Sequence, residues 1–303
     1  MIRQHAEELQ PSLPTPAAGT SPFMESQPVA FSPPFTRQMG VLRYHHGFRS
    51  SHLNNERTLV VYLPPGYDAS PTLRYPVLYM HDGQNLFDPA TAYHGVCWQA
   101  HETADRLILK RRVRPFIIVG VYNTPDRIFE YTAHMDTNMQ GGKGHLYARF
   151  LFEEVKVFID KEYRTRPTRP YTGVLGSSLG GLISLAMAKD WHQHFKMCGI
   201  MSPSLWWAKG ALLKELQGGP RWMRRMRFWV DMGNKEGGAA KGELPSAITR
   251  TRKLIEHFDM AGLLPGHHYY YTEITGGEHN ESHWAARLDK VFLYFLGRRG
   301  KLV

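Results

Sequence analysis

Tyr171-Thr172-Gly173-Val174-Leu175-Gly176-Ser177-Ser178-Leu179-Gly180-Gly181-Leu182 runs from an apolar, strand-like stretch through Gly-x-Ser-x-Gly into the start of a helix. That context predicts a sharp strand-to-helix turn with strained backbone at Ser178, which lifts its hydroxyl clear of the sheet. The flanking positions must be nearly free of side chain for strand and helix to approach, and Gly176 and Gly180 meet the demand. Ser177 is then the spacer. The same turn aims the amide of Leu179, at a helix N-terminus, toward any oxyanion formed at the serine. Phosphate-binding alternatives fail on their own terms: a Walker loop needs Gly-Lys-Ser/Thr, and a dinucleotide fingerprint needs glycine where Ser178 stands.

Outward from this turn, short apolar runs alternate with longer helical patterns, the arrangement of a mostly parallel sheet covered on both faces. Strands are predicted at 58–63, 77–81, 116–122, 171–175, 197–201, 228–232 and 269–274. Several are near-continuous apolar runs, as buried parallel strands are. Helices are predicted at 98–110, 146–163, 179–190, 208–217, 245–261 and 283–296. In the second helix Leu146, Phe150, Val157 and Phe158 form the expected buried stripe.

A chain of 303 residues that is 42% hydrophobic is long enough for one large core. Residues 1–40 hold Pro11, Pro14, Pro16, Pro22, Pro28, Pro33 and Pro34 among small and polar residues, which predicts a disordered tail. Residues 41–303 are then the catalytic domain. The opening residues lack the apolar run of a signal peptide and no stretch reaches the length of a membrane span, so a cytoplasmic protein with no membrane partner is expected. The net charge of +10 is spread along the chain, with short clusters only at Lys110-Arg111-Arg112 and Arg224-Arg225. This reads as a solvated basic face with no nucleic-acid partner, an anionic substrate being the alternative. Cys97 and Cys198 are too few for a disulfide framework and read as small buried apolar residues.

A serine hydroxyl is a weak nucleophile at neutral pH, and in chain order an acid and a histidine should follow it. His279, in Gly276-Gly277-Glu278-His279-Asn280-Glu281-Ser282-His283-Trp284, lies in a loop between a strand and the last helix; His283, near the helix start, is its rival. The acid expected after the strand Phe228-Trp229-Val230-Asp231-Met232 is Glu236, with Asp231 second because it still lies within the strand. The loop His81-Asp82-Gly83-Gln84-Asn85-Leu86-Phe87 should supply a second oxyanion amide, at Gln84. His81 and Asp82 precede the serine and read as scaffold. No His-Glu-x-x-His order or cysteine spacing calls for a metal, and no cofactor is implied. Arg127 suits a substrate carboxylate or phosphate, or a local pair with Glu130 or Asp126. Trp206 and Trp207 suit either an aromatic or sugar-binding cleft or core packing.

Together these motifs resemble the esterase family that includes enterochelin esterases, feruloyl and acetylxylan esterase domains, S-formylglutathione hydrolases and the antigen-85 mycolyltransferases. The resemblance covers about residues 41–298. It rests on Tyr75 to Phe87, Arg127 with Glu130-Tyr131-Thr132, Gly176 to Gly181, Ser202-Pro203-Ser204-Leu205-Trp206-Trp207, Gly233 to Gly237, and His279-Asn280-Glu281 with Trp284. It implies an α/β-hydrolase fold and a serine-dependent carboxylic ester hydrolase with Ser178 as nucleophile, His279 as base, Glu236 as acid and the Leu179 and Gln84 amides as oxyanion hole. The partner it implies is a small-molecule ester: an acylated sugar, an aromatic ester or a siderophore ester. An acyltransferase or thioesterase on the same scaffold, or a binding module that has lost its chemistry, are the alternatives. Glutamate stands at the acid position where several relatives have aspartate, and His283 stands where relatives have a small residue.

Overall fold

The computed structural model describes residues 39–237 and 246–298. The proline-rich segment predicted to be a disordered tail falls, but for residues 39 and 40, outside the described residues. Eight strands form one sheet in the order β1-β2-β4-β3-β7-β8-β9-β10. They are β1 (Val41–Ser50), β2 (Asn55–Leu63), β3 (Val77–His81), β4 (Ile117–Val121), β7 (Thr172–Ser177), β8 (Met197–Met201), β9 (Arg227–Gly233) and β10 (Tyr269–Ile274). Strands β1 and β2 are antiparallel additions at one edge, and every pair from β4 to β10 is parallel. The chain has the α/β-hydrolase fold. A small hairpin, β5 (Met135–Asp136) with β6 (Gln140–Gly141), stands apart.

The parallel strands from β4 to β9 are buried almost along their whole length and the edge strand β10 only partly, so successive side chains serve opposite layers. Val77, Tyr79, Val119, Val174, Ile200 and Val230 join one core; Leu78, Met80, Ile118, Leu175, Met201 and Trp229 join the other. The first core is covered by α3 (Gly144–Arg149), α4 (Lys156–Glu162), α5 (Leu179–Trp191), α6 (Trp207–Glu215) and α7 (Ser246–Met260), which contribute Tyr147, Ile159, Leu182, Leu212 and Leu254. The second is covered by α1 (Ala100–Leu109), α8 (Glu281–Ala285) and α9 (Leu288–Leu296), through residues such as Leu107, Trp284 and Phe292. A single turn, α2 (Arg127–Glu130), follows β4.

Three expectations change. The edge strand β1, Val-Leu-Arg-Tyr-His-His-Gly-Phe-Arg-Ser, is mostly exposed and interrupted by a bulge between His45 and Phe48, so it carries no apolar alternation for the sequence to reveal. Helices α3 and α4 join through a π-helical stretch, Phe150–Val155, whose wider turn rotates the buried stripe onto Phe150, Leu151, Val155 and Ile159. Val157, expected inside, is left 60% exposed. Of the two cysteines, Cys198 is buried but Cys97 only partly so.

Candidate active site

Parallel strands bring their carboxyl ends to one edge of the sheet, where α/β folds place ligands. Here that edge carries Asp82 after β3, Asn123 after β4, Ser178 after β7, Ser202 after β8, Glu236 after β9 and His279 after β10. The topology alone therefore gathers residues far apart in sequence.

Ser178 caps the N-terminus of α5 with φ 57° and ψ −122°, a left-handed conformation that side-chain-bearing residues adopt only under constraint. Three backbone bonds hold it: its amide donates to the Met201 carbonyl at 3.0 Å, and its carbonyl accepts from the Leu182 and Ser204 amides, each at 3.1 Å. Gly176 is obligatory, because a Cβ there would stand 2.7 Å from the Gly180 backbone. Gly180 itself has more room: its nearest neighbour would be His81 Cβ at 3.4 Å. The Leu179 amide lies in the first turn of α5, where no intrahelical acceptor exists.

A line of hydrogen bonds leaves the serine. His279 Nε2 is 2.9 Å from Ser178 Oγ, and His279 Nδ1 is 2.6 Å from Glu236 Oε2. The His279 side chain is 45% exposed while that of Glu236 is 2% exposed, so the relay runs from solvent into the core. Trp284 meets the imidazole edge-on at 5.0 Å. Burial alone would raise the Glu236 carboxyl. Hydrogen bonds from His279, Ser202 and the Gly233 amide outweigh it and hold the group below its ordinary value.

The two rivals stand elsewhere. Asp231 is fully buried, accepts from Trp229 Nε1 at 2.6 Å and pairs with Arg287 at 2.9 Å. Burial, only partly offset by Arg287, raises its carboxyl. His283 sits within α8 and does not line the cleft. Ser202 links the two carboxylates: its hydroxyl donates to Glu236 Oε1 and accepts from Trp284 Nε1, while its amide donates to Asp231 Oδ1. Neither Ser202 nor Arg287 receives a role from the sequence; the signal for Ser202 was its place after β8, in Ser202-Pro203-Ser204.

Ser178 and His279 open into a cleft of about 370 Å³ lined also by Asp82, Gln84, Asn85, Asn123, Arg127, Glu281 and Trp284. Gln84 lies in a 3₁₀ turn, Gly83–Asn85, braced by Thr91 on its carbonyl and by the Asn123 amide on its side chain. Arg127 does not pair with Glu130 or Asp126 as the local reading expected. It binds Asp82 through Nε and Nη2 at 2.7 and 2.8 Å, while Glu130 is taken by the buried Arg57. The pair holds the Asp82 carboxyl low despite its burial. His81 is buried beneath the elbow with Nδ1 3.0 Å from Tyr147 Oη, and burial depresses it to about 4.

Trp206 and Trp207 do not line this cleft. Trp207 is core, its indole donating to the His134 carbonyl at 2.8 Å, and Trp206 is 44% exposed beyond the cleft's lining. Among the described residues no group of His, Cys, Asp and Glu is arranged to hold a metal, and no helix is long and apolar enough to cross a membrane.

A family model described as "Putative esterase" matches residues 50–295. Bacillus subtilis YjcH, an uncharacterised protein, is 33% identical over 156 residues, which is 52% of this chain and 59% of YjcH. The ferri-bacillibactin esterase BesA of Bacillus subtilis is 26% identical over 182 residues, 54% of this chain and 60% of BesA. The chain thus matches about three fifths of the length of these two relatives. A solved ferulic acid esterase superposes with a TM-score of 0.66 at 18% identity, covering 86% of this chain and 99% of that one, a likeness of fold.

Proposed function

The chain belongs to the putative esterase family, and from that premise we propose that it is a serine-dependent carboxylic ester hydrolase working through Ser178, His279 and Glu236. The observation that carries this reading is the unbroken relay from Ser178 Oγ through both ring nitrogens of His279 to the buried Glu236. Residues from about 41 onward form its catalytic domain.

Ser178 Oγ attacks the ester carbonyl carbon as its proton passes to His279 Nε2, and the carbonyl π electrons move onto oxygen. The amides of Leu179 and Gln84 receive that oxyanion, each contributing about 3 kcal/mol. Collapse of the tetrahedral adduct expels the alcohol, which takes the proton from His279 and leaves an acyl-enzyme. Water then repeats the sequence and releases the acid. Glu236 holds the Nδ1–H tautomer and stabilises the imidazolium that forms twice in each turnover. The substrate is a small-molecule ester of the acylated-sugar, aromatic or siderophore kind.

Hydrolysis of p-nitrophenyl acetate by the parent and Ser178→Ala, with fluorophosphonate labelling alongside, tests the proposal. Turnover should fall by at least about a thousandfold and labelling should vanish. Undiminished turnover in the variant rules the mechanism out.

A further inference from the structure

The cleft beside Ser178 has a local charge that the composition does not predict. Four ionisable side chains other than tyrosine line it: Asp82, Arg127, His279 and Glu281. Two nitrogens of the Arg127 guanidinium, Nε and Nη2, are engaged by Asp82, and the group lies over the Tyr131 ring at 5.0 Å. Asn123 adds a third donor to the same carboxylate at 2.6 Å. The Asp82–Arg127 pair therefore presents no net charge, and the imidazolium formed at His279 is balanced by Glu236. At the rim, Lys235 and Glu278 face each other at 3.5 Å and cancel as well. Glu281 remains. It is the first residue of α8, half-buried, and its described hydrogen bond is one from Asn85 Nδ2 to Oε1 at 3.2 Å. Burial raises its carboxyl against the pull of its own backbone amide, His279 and Arg127, and among the described residues it forms no salt bridge.

We infer that Glu281 determines specificity in this cleft, selecting esters that carry a cationic group over matched anionic ones, with neutral hydroxyl-rich esters between. The local field is thus opposite in sign to the chain's net charge of +10. A carboxylate about 6 Å from a substrate charge, screened nearly as in bulk water because the cleft is open, separates the two signs by about tenfold in affinity. The inference rests on the esterase reading above, and its test separates the two.

Phenylboronic acids form reversible tetrahedral adducts with a nucleophilic serine, so three of them serve as probes: unsubstituted, meta-aminomethyl and meta-carboxy. Inhibition of p-nitrophenyl acetate turnover is measured at mildly alkaline pH for the parent, Glu281→Gln and Glu281→Asp. Expected is a Ki for the aminomethyl compound about tenfold below that of the carboxy compound in the parent. The gap should persist in Glu281→Asp and close to within about twofold in Glu281→Gln. In the parent and in Glu281→Asp, high salt should narrow it. Equal inhibition by both charged boronates in the parent, or a gap that survives Glu281→Gln, overturns the inference. Failure of all three boronates to inhibit an active parent would instead overturn the serine mechanism.

Discussion

Ser202 Oγ donates to Glu236 Oε1 at 2.7 Å, which commits the other carboxylate oxygen, Oε2, to His279. The relay therefore depends on a residue that never touches Ser178. Because Ser202 also accepts from Trp284 Nε1, a residue packed against the imidazole, it steers both neighbours of His279. Ser202→Ala should lower kcat about tenfold while KM stays within about twofold, since the loss falls on orientation and not on ester binding. Steady-state kinetics on a short nitrophenyl ester measure the split, and a KM effect as large as the kcat effect would refute it.

Glu236 and Asp231 are both buried carboxylates, 3% and 0% exposed, yet their partners predict opposite behaviour. Glu236→Gln keeps the shape but presents the wrong hydrogen-bonding pattern to His279, so kcat should fall by about 10³ to 10⁴ with little change in melting temperature. Asp231→Asn leaves Arg287 with only the more distant Glu236, at 3.9 Å, as charge partner and should cost about 3 kcal/mol of stability while retaining most of kcat at a temperature where the variant is folded. Thermal melts and rates on the two variants check both halves. A reversal of the two phenotypes would make Asp231 the acid.

The elbow was legible because its chemistry is local: a strained serine needs a small residue at Gly176, and strand and helix signals flank it within a few positions. Strands β3 and β8 were readable to the residue for a related reason, being buried runs bounded by turns, and β10, half-buried at the sheet's edge, was readable as a run of aromatic and β-branched residues. Partners set by the sheet order were not readable. Nothing in the spacing of Asp82 and Arg127, or of Arg57 and Glu130, brings them together; crossovers between β2, β3 and β4 do. Trp207 likewise had two readings on sequence alone, and the neighbouring hairpin, where its indole finds the His134 carbonyl, decided between them.

Ala208, Lys209 and Gly210 form three successive left-handed residues at the start of α6, with φ of 48°, 55° and 73°. Only glycine and, to a lesser degree, asparagine adopt this region without a steric cost of about 1 kcal/mol. Lys209 is exposed, so changing it disturbs little else. Lys209→Asn should raise stability by about 0.5–1 kcal/mol, read as a shift of the urea midpoint at unchanged slope. A lower midpoint would mean that the lysine has a stabilising contact that outweighs the strain.

His81 gives the fold a pH dependence separate from that of catalysis. In the folded chain burial holds its imidazole at about 4 against an ordinary 6.5, with Asp82 and Arg127 acting on it in opposite directions. As pH falls through that interval the unfolded chain takes up the proton and the folded chain does not, so stability is complete above 6.5 and is lost toward 4. The full interval corresponds to about 3 kcal/mol. The depressed carboxyl of Asp82 loses its own contribution only below its ordinary value of 3.8, beneath this window. His81→Gln has no proton to take up, so its unfolding free energy should be flatter across the window even if its absolute stability is lower. Urea titrations of parent and variant over that range compare the slopes, and parallel slopes would place the acid sensitivity at another group.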